Sequence, residues 1–565
     1  MKNYYFIFLL SVLAFGQNHY PKDYFRSPLD IPLQLSGNFG ELRPNHIHSG
    51  FDCKTNKVVG LQVYAAAAGY VSRIKIAING YGKAIYITHP NGYTTVYGHL
   101  QSGYGDIEKR IKREQYKLKS YEIDVLLLPN DLNVKKGDSI ALSGNTGGSD
   151  GPHLHFEIRD TQSEKIINPL YFGFDSVITD TKKPIISSLY VFPLDKNSIV
   201  NQTQKPIFLS LSMLNDGMYI SEKVAATGKI GFGIITLDFD DVSWNANGIF
   251  RAQSFLNGKP SFGYQFDTFS FDETRSVNGL IDYEKYKTQG QRVQRLFFKN
   301  PYSLSIIKPG TDNGIISVVP NFLQSYRIEI ADFNENITKI FIPIQYSNLP
   351  VKEKDAPINQ KYLVKAQIDN IFALENVTVT FPANTFMDDF YMNFEVKNGI
   401  AQIHKDVVPA FTNFSVTFED SITPQKDAEK MFIGLLHGDK INYFTTKRYK
   451  NSFTVYTKYL GEYKLMKDTT APKFRTTKKS EGKWIGKQNE IQFSISDEIS
   501  GIKSYDGYLN GNWILLEYEP KTKTITHCFA DGIVAEGKND LKIVVTDNVG
   551  NSTIFESQFF RSQKL

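Results

Sequence analysis

Two imidazoles two residues apart, in the run His153-Leu154-His155-Phe156-Glu157-Ile158, are the first side chains in this sequence with an evident capacity for chemistry. The run alternates as a half-buried strand does. Leu154, Phe156 and Ile158 then face a core, while His153 and His155 share the opposite face and can reach one ion or one substrate. A second pair, His48 and Asp52, lies four residues apart around Gly50. As a strand or as a tight bend, that spacing projects both side chains to one side. A third segment, Tyr97-Gly98-His99-Leu100, puts His99 in a strand that follows a hairpin turn. Imidazole nitrogen and carboxylate oxygen are both good zinc donors, and a catalytic zinc takes three protein ligands and keeps a fourth position open. A His, an Asp and a further His make such a set. The remaining imidazoles then suit the work of taking a proton from water and stabilising or protonating the reacting groups.

Not every histidine belongs to this chemistry. His89, at a hairpin end, reads as a surface residue or a satisfied core residue, and His46 shares the side of His48 but lacks its spacing to Asp52. The loop Gly144-Asn145-Thr146-Gly147-Gly148-Ser149-Asp150-Gly151-Pro152 is rich enough in glycine to let a bound chain approach the backbone closely. It lacks the Lys-Ser/Thr ending of a phosphate-binding loop. No His-Glu-x-x-His segment occurs, so a glutamate base on a zinc-binding helix is excluded.

These residues need elements to hold them. Val63 to Ile76 alternates well enough for strands, and Ala84 to Thr88 and Tyr93 to Tyr97 flank Pro90-Asn91-Gly92, a strong hairpin signal. Asp106 to Lys119 is the one clear helical segment, with Asp106 as its cap and Ile107 and Ile111 as its apolar stripe. It opens an insertion, Ser102 to Asn133, whose apolar Val125-Leu126-Leu127-Leu128-Pro129 is expected to pack down. Both ends of the insertion are tied to the His99 strand and the glycine-rich loop, which suits a wall of the presumed groove that restricts what enters it; the other reading is a surface decoration packed away from the site.

The chain of 565 residues is too long for one core, and 13% aromatic residues with few long apolar helices favour β-rich domains. A net charge of +5 suits an anionic wall polymer but is far too weak for nucleic acid. Lys2, the apolar run Tyr4 to Phe15 and the small residues of Ala14-Phe15-Gly16 read as a signal peptide over 1–16. Its apolar run is shorter than the roughly 20 residues of a spanning helix, so no stable membrane span remains after cleavage. Cys53 and Cys528 alone cannot make a disulfide framework. After Asn168-Pro169, Asp180-Thr181-Lys182-Lys183-Pro184 resembles Asp468-Thr469-Thr470-Ala471-Pro472, and Asp332 with Asn336 matches Asp547 with Asn551. Asp and Asn bonding local backbone in a turn would account for the second match. The expected division is 24–175, a histidine-rich domain able to fold by itself, then a β-sandwich module at 176–349, a β domain at 350–467 and an immunoglobulin-like β-sandwich at 468–565.

The segments His48-Ser49-Gly50-Phe51-Asp52, Tyr97-Gly98-His99-Leu100 and Gly151-Pro152-His153-Leu154-His155-Phe156-Glu157 stand in the order of three known signature motifs. With the flanks Gly37-Asn38-Phe39-Gly40 and Val134-Lys135-Lys136-Gly137-Asp138, they resemble those of the lysostaphin/LytM family of zinc metallopeptidases over roughly residues 30–170. The resemblance implies that His48, Asp52 and His155 bind one Zn2+ and that His99 and His153 are the unmetallated catalytic pair. It implies a small antiparallel β fold with a narrow groove and peptidoglycan peptides as substrate. The Ser102–Asn133 connection is longer than the family's minimal one. The expected protein is mainly β: a LytM-type peptidase domain followed by several β-sandwich domains, exported to the periplasm, the cell envelope or the medium. Its expected function is zinc-dependent endopeptidase action on peptidoglycan, with envelope proteins as further partners through the β modules. The alternative is a LytM-like wall-binding or hydrolase-activating protein without turnover, and the five intact motif positions argue against it.

Overall fold

The computed structural model describes residues 20–299, 304–308, 310–352, 361–476, 482–486 and 488–562; the leader expected at 1–16 lies outside them. The protein is built almost wholly of antiparallel strands. The first sheet runs in the order Leu35–Gly37, Phe51–Lys54, His153–Asp160, Tyr93–Gly103, Lys83–Thr88, Gly69–Ile76 and Asn133–Val134. Ser139–Ser143 joins Gln62–Tyr64 to the far end of Tyr93–Gly103. The hairpin forms where Pro90-Asn91-Gly92 predicts it, with Gly92 at φ 87°, a conformation glycine adopts without cost. The alternation in His153–Asp160 is also observed: Leu154, Phe156 and Ile158 are fully buried on the core face.

The insertion departs from its sequence reading in two places. The helix spans Asp106–Leu118, but Gly105 is its cap, at φ 58° and ψ −125°, and no side chain caps it. That conformation is open to glycine and closed to most residues, so Asp106 moves into the first turn and pairs with Lys109. The run Val125 to Leu128 does not pack down as a block. Ile123–Leu126 pairs as an edge strand with Gly69–Ile76, and Leu127 is buried while Leu126 and Leu128 are 78% and 72% exposed.

Beyond residue 175 the chain continues as strands, yet the core does not stop there. Ile166–Ile167 pairs with Thr268–Phe269, which extends the first sheet into the next module. Phe269 packs on Phe39 at 5.1 Å, and the ring of Phe266 lies so close over Gly40 that an added Cβ would sit 2.6 Å from it. One continuous apolar core therefore runs from Phe25 to Ile344 and takes in Leu515 of the last module. Residues 24–175 therefore share a core and a sheet with the module that follows. The module at 185–346 places a five-stranded sheet against a nine-stranded one. Residues 362–467 form two five-stranded sheets around a separate core, and 473–561 two four-stranded sheets around a third. Among the described residues no helix is long and apolar enough to cross a membrane.

The last module folds back onto the first domain. Glu517 bonds Lys83 at 2.7 Å and Lys112 at 2.9 Å, Tyr116 donates to Asp531 at 2.7 Å, and Trp513 meets Tyr116 edge-on. The insertion helix thus serves as the platform on which the chain's end docks. The repeated Asp and Asn residues form the expected turns, with Asn336 N–H on Asp332 and Asn551 N–H on Asp547, each at 2.8 Å.

Two lengths of this chain should behave differently. A 20–349 chain is expected to unfold in one cooperative transition, whereas 20–175 exposes the edge of Ile166–Ile167 and half a core, and aggregates. Phe269→Ala in the full chain should cost about 3–5 kcal/mol in urea unfolding. A cooperative, soluble 20–175 fragment would show that the shared core is dispensable.

Candidate active site

Register brings the three segments together. Asp52 stands directly opposite His155 in the pairing of Phe51–Lys54 with His153–Asp160, and Gly98 stands opposite His155 on its other side. Residues opposite one another on adjacent strands project to the same face, so Asp52 and His155 meet without any bend. His48 reaches them from the turn before Phe51, whose backbone is held by His48 N–H on the Glu41 carbonyl at 2.8 Å. All three side chains are buried. His48 Nε2 lies 3.1 Å from Asp52 Oδ1 and 3.3 Å from His155 Nδ1, and His155 Nδ1 lies 2.9 Å from Asp52 Oδ1.

The proton positions follow from the outer partners. His48 Nδ1 faces the Asn38 carbonyl at 2.6 Å and must donate to it, which leaves Nε2 as a bare lone pair. His155 Nε2 faces the Glu157 carboxylate at 2.8 Å and must donate there, which leaves Nδ1 bare. Asp52 turns Oδ2 to Arg43 at 2.6 Å and Oδ1 inward. With both imidazoles neutral, three acceptors thus converge, an arrangement that calls for positive charge between them, supplied by an ion or by protons the histidines share with Asp52. Tetrahedral zinc with bonds of about 2.0–2.1 Å sets its donors roughly 3.3 Å apart, so these residues fit the ion. Burial pushes the Asp52 carboxyl up, but His48 and hydrogen bonds from the three histidines hold it well below the usual carboxylate range. Burial likewise disfavours charge on His155, yet its bonds to Asp52 and Glu157 raise its pKa to about 9. The site is therefore tuned for positive charge at its centre.

Around this centre lies a buried support. Glu157 has no exposed surface and accepts from His155, from Ser49 at 2.6 Å, from Arg159 at 2.6 Å and from the Tyr81 hydroxyl. Tyr81 also stacks on the His155 ring, 5.0 Å between centroids. The sequence reading missed Glu157, although it lies one step beyond His155 on the same strand face. Tyr81 and Arg43 carry no such signal, because Tyr81 arrives from a turn 76 residues before Glu157 and Arg43 from a two-residue strand without periodicity.

His99 and His153 form a second pair beside the first, their rings 4.7 Å apart. His153 Nδ1 lies 2.9 Å from the Gly151 carbonyl and His99 Nδ1 2.8 Å from the Thr146 carbonyl. Both rings thereby keep Nε2 as the free acceptor, and His153 Nε2 lies 3.3 Å from Asp52 Oδ1. Burial, and then repulsion from His155 and His153, lower the His99 pKa to about 3, so its imidazole is neutral at ordinary pH. His89 is a satisfied core residue, bonded to the Ala68 carbonyl and Thr95, and His46 bonds the Pro44 carbonyl outside the set. The glycine-rich loop is only in part an open surface. A Cβ on Gly147 would come within 2.3 Å of Gly82 N and one on Gly144 within 2.4 Å of Gln101 N, whereas Gly151 has open space.

Neighbouring modules reach the rim. Lys54 bonds Ser243 at 2.7 Å and lies 5.6 Å from the ring of Trp244, which is 80% exposed. On the other side Lys521 donates to the Asn145 carbonyl of the glycine-rich loop.

Residues 46–117 and 118–169 match the family model described as peptidase family M23, and residues 361–468 match a Zu5-like domain. Over 180 residues the chain is 31% identical to an uncharacterized metalloprotease of Haemophilus influenzae, covering 30% of this chain and 32% of that one. It is 32% identical over 143 residues to the peptidoglycan DD-endopeptidase ShyC of Vibrio cholerae, covering 24% and 27%. The chain spans about a third or less of the length of these curated relatives. Among solved structures, the catalytic domain of lysostaphin from Staphylococcus simulans aligns at 24% identity and a TM-score of 0.19, covering 24% of this chain and 89% of that one.

Glu157→Gln should expose how much of the site rests on one carboxylate. It leaves the buried Arg159 guanidinium without its counter-charge, at a cost of about 3–5 kcal/mol. It also weakens the orientation of His155, so metal affinity should fall about 10–100-fold. Thermal melts and competitive metal titration check both; an unchanged affinity would remove Glu157 from the support of the site.

Proposed function

We propose that this chain, whose residues 46–169 are a peptidase family M23 domain, is a zinc-dependent endopeptidase that hydrolyses peptide bonds of bacterial peptidoglycan. The observation that carries the reading is the convergence of three proton-free donors, His48 Nε2, Asp52 Oδ1 and His155 Nδ1, beside two imidazoles whose free nitrogens are both Nε2. In this reading His48, Asp52 and His155 hold one zinc. The ion, when bound, supplies Lewis acidity to the scissile carbonyl and to water.

The chain's own groups do the rest. Asn38 and Glu157 fix the tautomers of His48 and His155, and Arg43 fixes which oxygen Asp52 turns inward. Between them, His99 Nε2 and His153 Nε2 take the proton of the attacking water, stabilise the developing oxyanion and return a proton to the leaving amine. Their Nδ1 atoms stay tied to the Thr146 and Gly151 carbonyls throughout. The peptide lies along the face shared by Lys54, His153 and His99, between the Trp244 side and the glycine-rich loop. The protein works outside the cytoplasm, in the periplasm, the envelope or the medium, after loss of the 1–16 leader. The named relative ShyC, a peptidoglycan DD-endopeptidase, supports the substrate class.

Ligand and proton-handling roles separate by experiment. His155→Ala should lose most of its zinc in elemental analysis. His99→Ala should keep a full equivalent of zinc and lose ~10²–10⁴-fold of its hydrolysis of purified peptidoglycan, with products identified by mass spectrometry. Zinc-replete wild-type protein that releases no peptide from peptidoglycan would overturn the enzymatic reading in favour of a binding or activating role.

A further inference from the structure

The repeat visible in the sequence builds the same corner twice, and the two copies differ in one respect. In the C-terminal module the corner gathers Asp468, Asp497 and Asp547. Asp497 directly follows the strand Glu490–Ser496. Each of these carboxylates is used within the module. Asp497 Oδ1 accepts backbone N–H groups from Ile499 at 3.1 Å, Ser500 at 2.9 Å and Gly501 at 2.7 Å. Ser500 donates its N–H and its hydroxyl to Asp468 Oδ2, at 3.2 and 2.7 Å. Asp547 accepts from Val549, from Asn551 N–H and from the Asn551 amide.

In the first module Asp180, Asp238 and Asp332 occupy the corresponding places, and Asp238 directly follows the strand Lys229–Leu237. Asp180 accepts from Lys182 N–H as Asp468 does from Thr470, and Asp332 is held by Asn336 as Asp547 is by Asn551. The turn after Asp238 has its own serine, since Asp240 accepts from Val242 and Ser243 N–H as Asp497 does from Ile499 and Ser500, but the Ser243 hydroxyl donates to the Leu35 carbonyl where that of Ser500 donates to Asp468. Asp238 is only 4% exposed, and among the described residues its Oδ1 is buried with no hydrogen-bond partner. Asp175 Oδ1, from the peptidase side of the junction, is likewise buried and unpartnered. Asp175, Asp180, Asp238 and Asp332 line one cavity of about 40 Å³ together with Asn38. Burial, and then the charges of Asp180, Asp332 and Asp240, push the Asp238 carboxyl up to about 8, opposed by the N–H of Phe239.

We propose that these four aspartates bind a calcium ion at the junction between the peptidase domain and the first β module. A buried carboxylate oxygen without a donor, on a group without a cationic neighbour, is costly, and a cation removes the cost. The donors are all oxygen and come from separate segments, which suits the flexible, high-coordination preference of calcium over the strict octahedron of magnesium. No imidazole or thiolate lines the cavity, so zinc has no preference for it. The site would brace the loop bearing Asn38, whose carbonyl holds His48 Nδ1, and so tie the module to the peptidase site.

The test uses the full chain, passed over a chelating resin until free of calcium, with its zinc content verified and restored where needed. Addition of ~1 mM Ca2+, a concentration at which extracellular calcium sites fill, should raise the melting temperature by several degrees. The same concentration of Mg2+ should raise it much less. Asp238→Asn should abolish the calcium-dependent rise, keep its zinc, and melt without calcium no lower than the wild type, because the unpaired charge is gone. Asp497→Asn, in the self-satisfied copy of the corner, should keep the rise. No rise in the wild type, an equal rise with Mg2+, a rise retained in Asp238→Asn or a rise lost in Asp497→Asn would each overturn the proposal. Zinc content and peptidoglycan hydrolysis, read in parallel, report separately on the peptidase reading.

Discussion

Glu157 has no contact with solvent, and most of the functional geometry is arranged around it. A carboxylate in that position must be paired, and it is paired on every side: Arg159 neutralises it, Ser49 and Tyr81 saturate it, and His155 donates to it. Burial alone would push its proton affinity up; Arg159 and His155 hold it low instead, so it stays an acceptor. An acceptor there dictates the tautomer of His155, and the tautomer dictates which nitrogen faces Asp52 and His48. The strand register does the remainder, since Asp52, His155 and Gly98 lie in one row across three neighbouring strands. A Cβ at Gly98 would meet His155 and Tyr81 at 3.4–3.6 Å, ordinary contact distances, so the row does not depend on a glycine there.

Much of this was legible in the residues because period-two alternation is a local property. His153, Leu154, His155 and Phe156 declare their faces without reference to anything distant, and Pro90-Asn91-Gly92 declares its turn. The clustering of His48, Asp52 and His155 was legible through motif order and not through spacing, since strand pairing decides which distant segments meet. What escaped were contacts made by residues whose partners lie far along the chain. Tyr81, Arg43 and Asp175 belong to turns and short segments without periodicity. The end of the peptidase domain also escaped. Ile166–Ile167 is an ordinary apolar pair in sequence, and only the pairing with Thr268–Phe269 shows that it continues a sheet into the next module. The cap of the insertion helix was misread because an acidic residue at a helix start and a glycine one place earlier are both acceptable, and backbone conformation decided between them.

The two copies of the Asp/Asn corner illustrate how one backbone solution can carry different side-chain chemistry. In both modules the corner joins the first strand to the last hairpin: Asn336 and Asn551 each bond the backbone carbonyl of the opening aspartate, at 3.1 Å in both cases. The shared part is the part that closes the module. The part that differs is the serine hydroxyl, which Ser500 gives to Asp468 and Ser243 gives to the Leu35 carbonyl, and it leaves the closure untouched.

The docking of Glu517 onto Lys83 and Lys112 brings together residues 434 and 405 positions apart. A chain made from its N-terminus therefore exposes the peptidase domain long before the last module exists to meet it. Contacts of such long sequence separation form late, because the connecting chain must be ordered before they are reached. Most of the first core can close as soon as residue 344 has emerged, while Leu515 joins it and Lys521 touches the glycine-rich loop only after the last module has been made. The molecule is thus finished in two stages, and the rim of its groove belongs to the second. Truncation near the C-terminus would spare the catalytic centre and strip that rim.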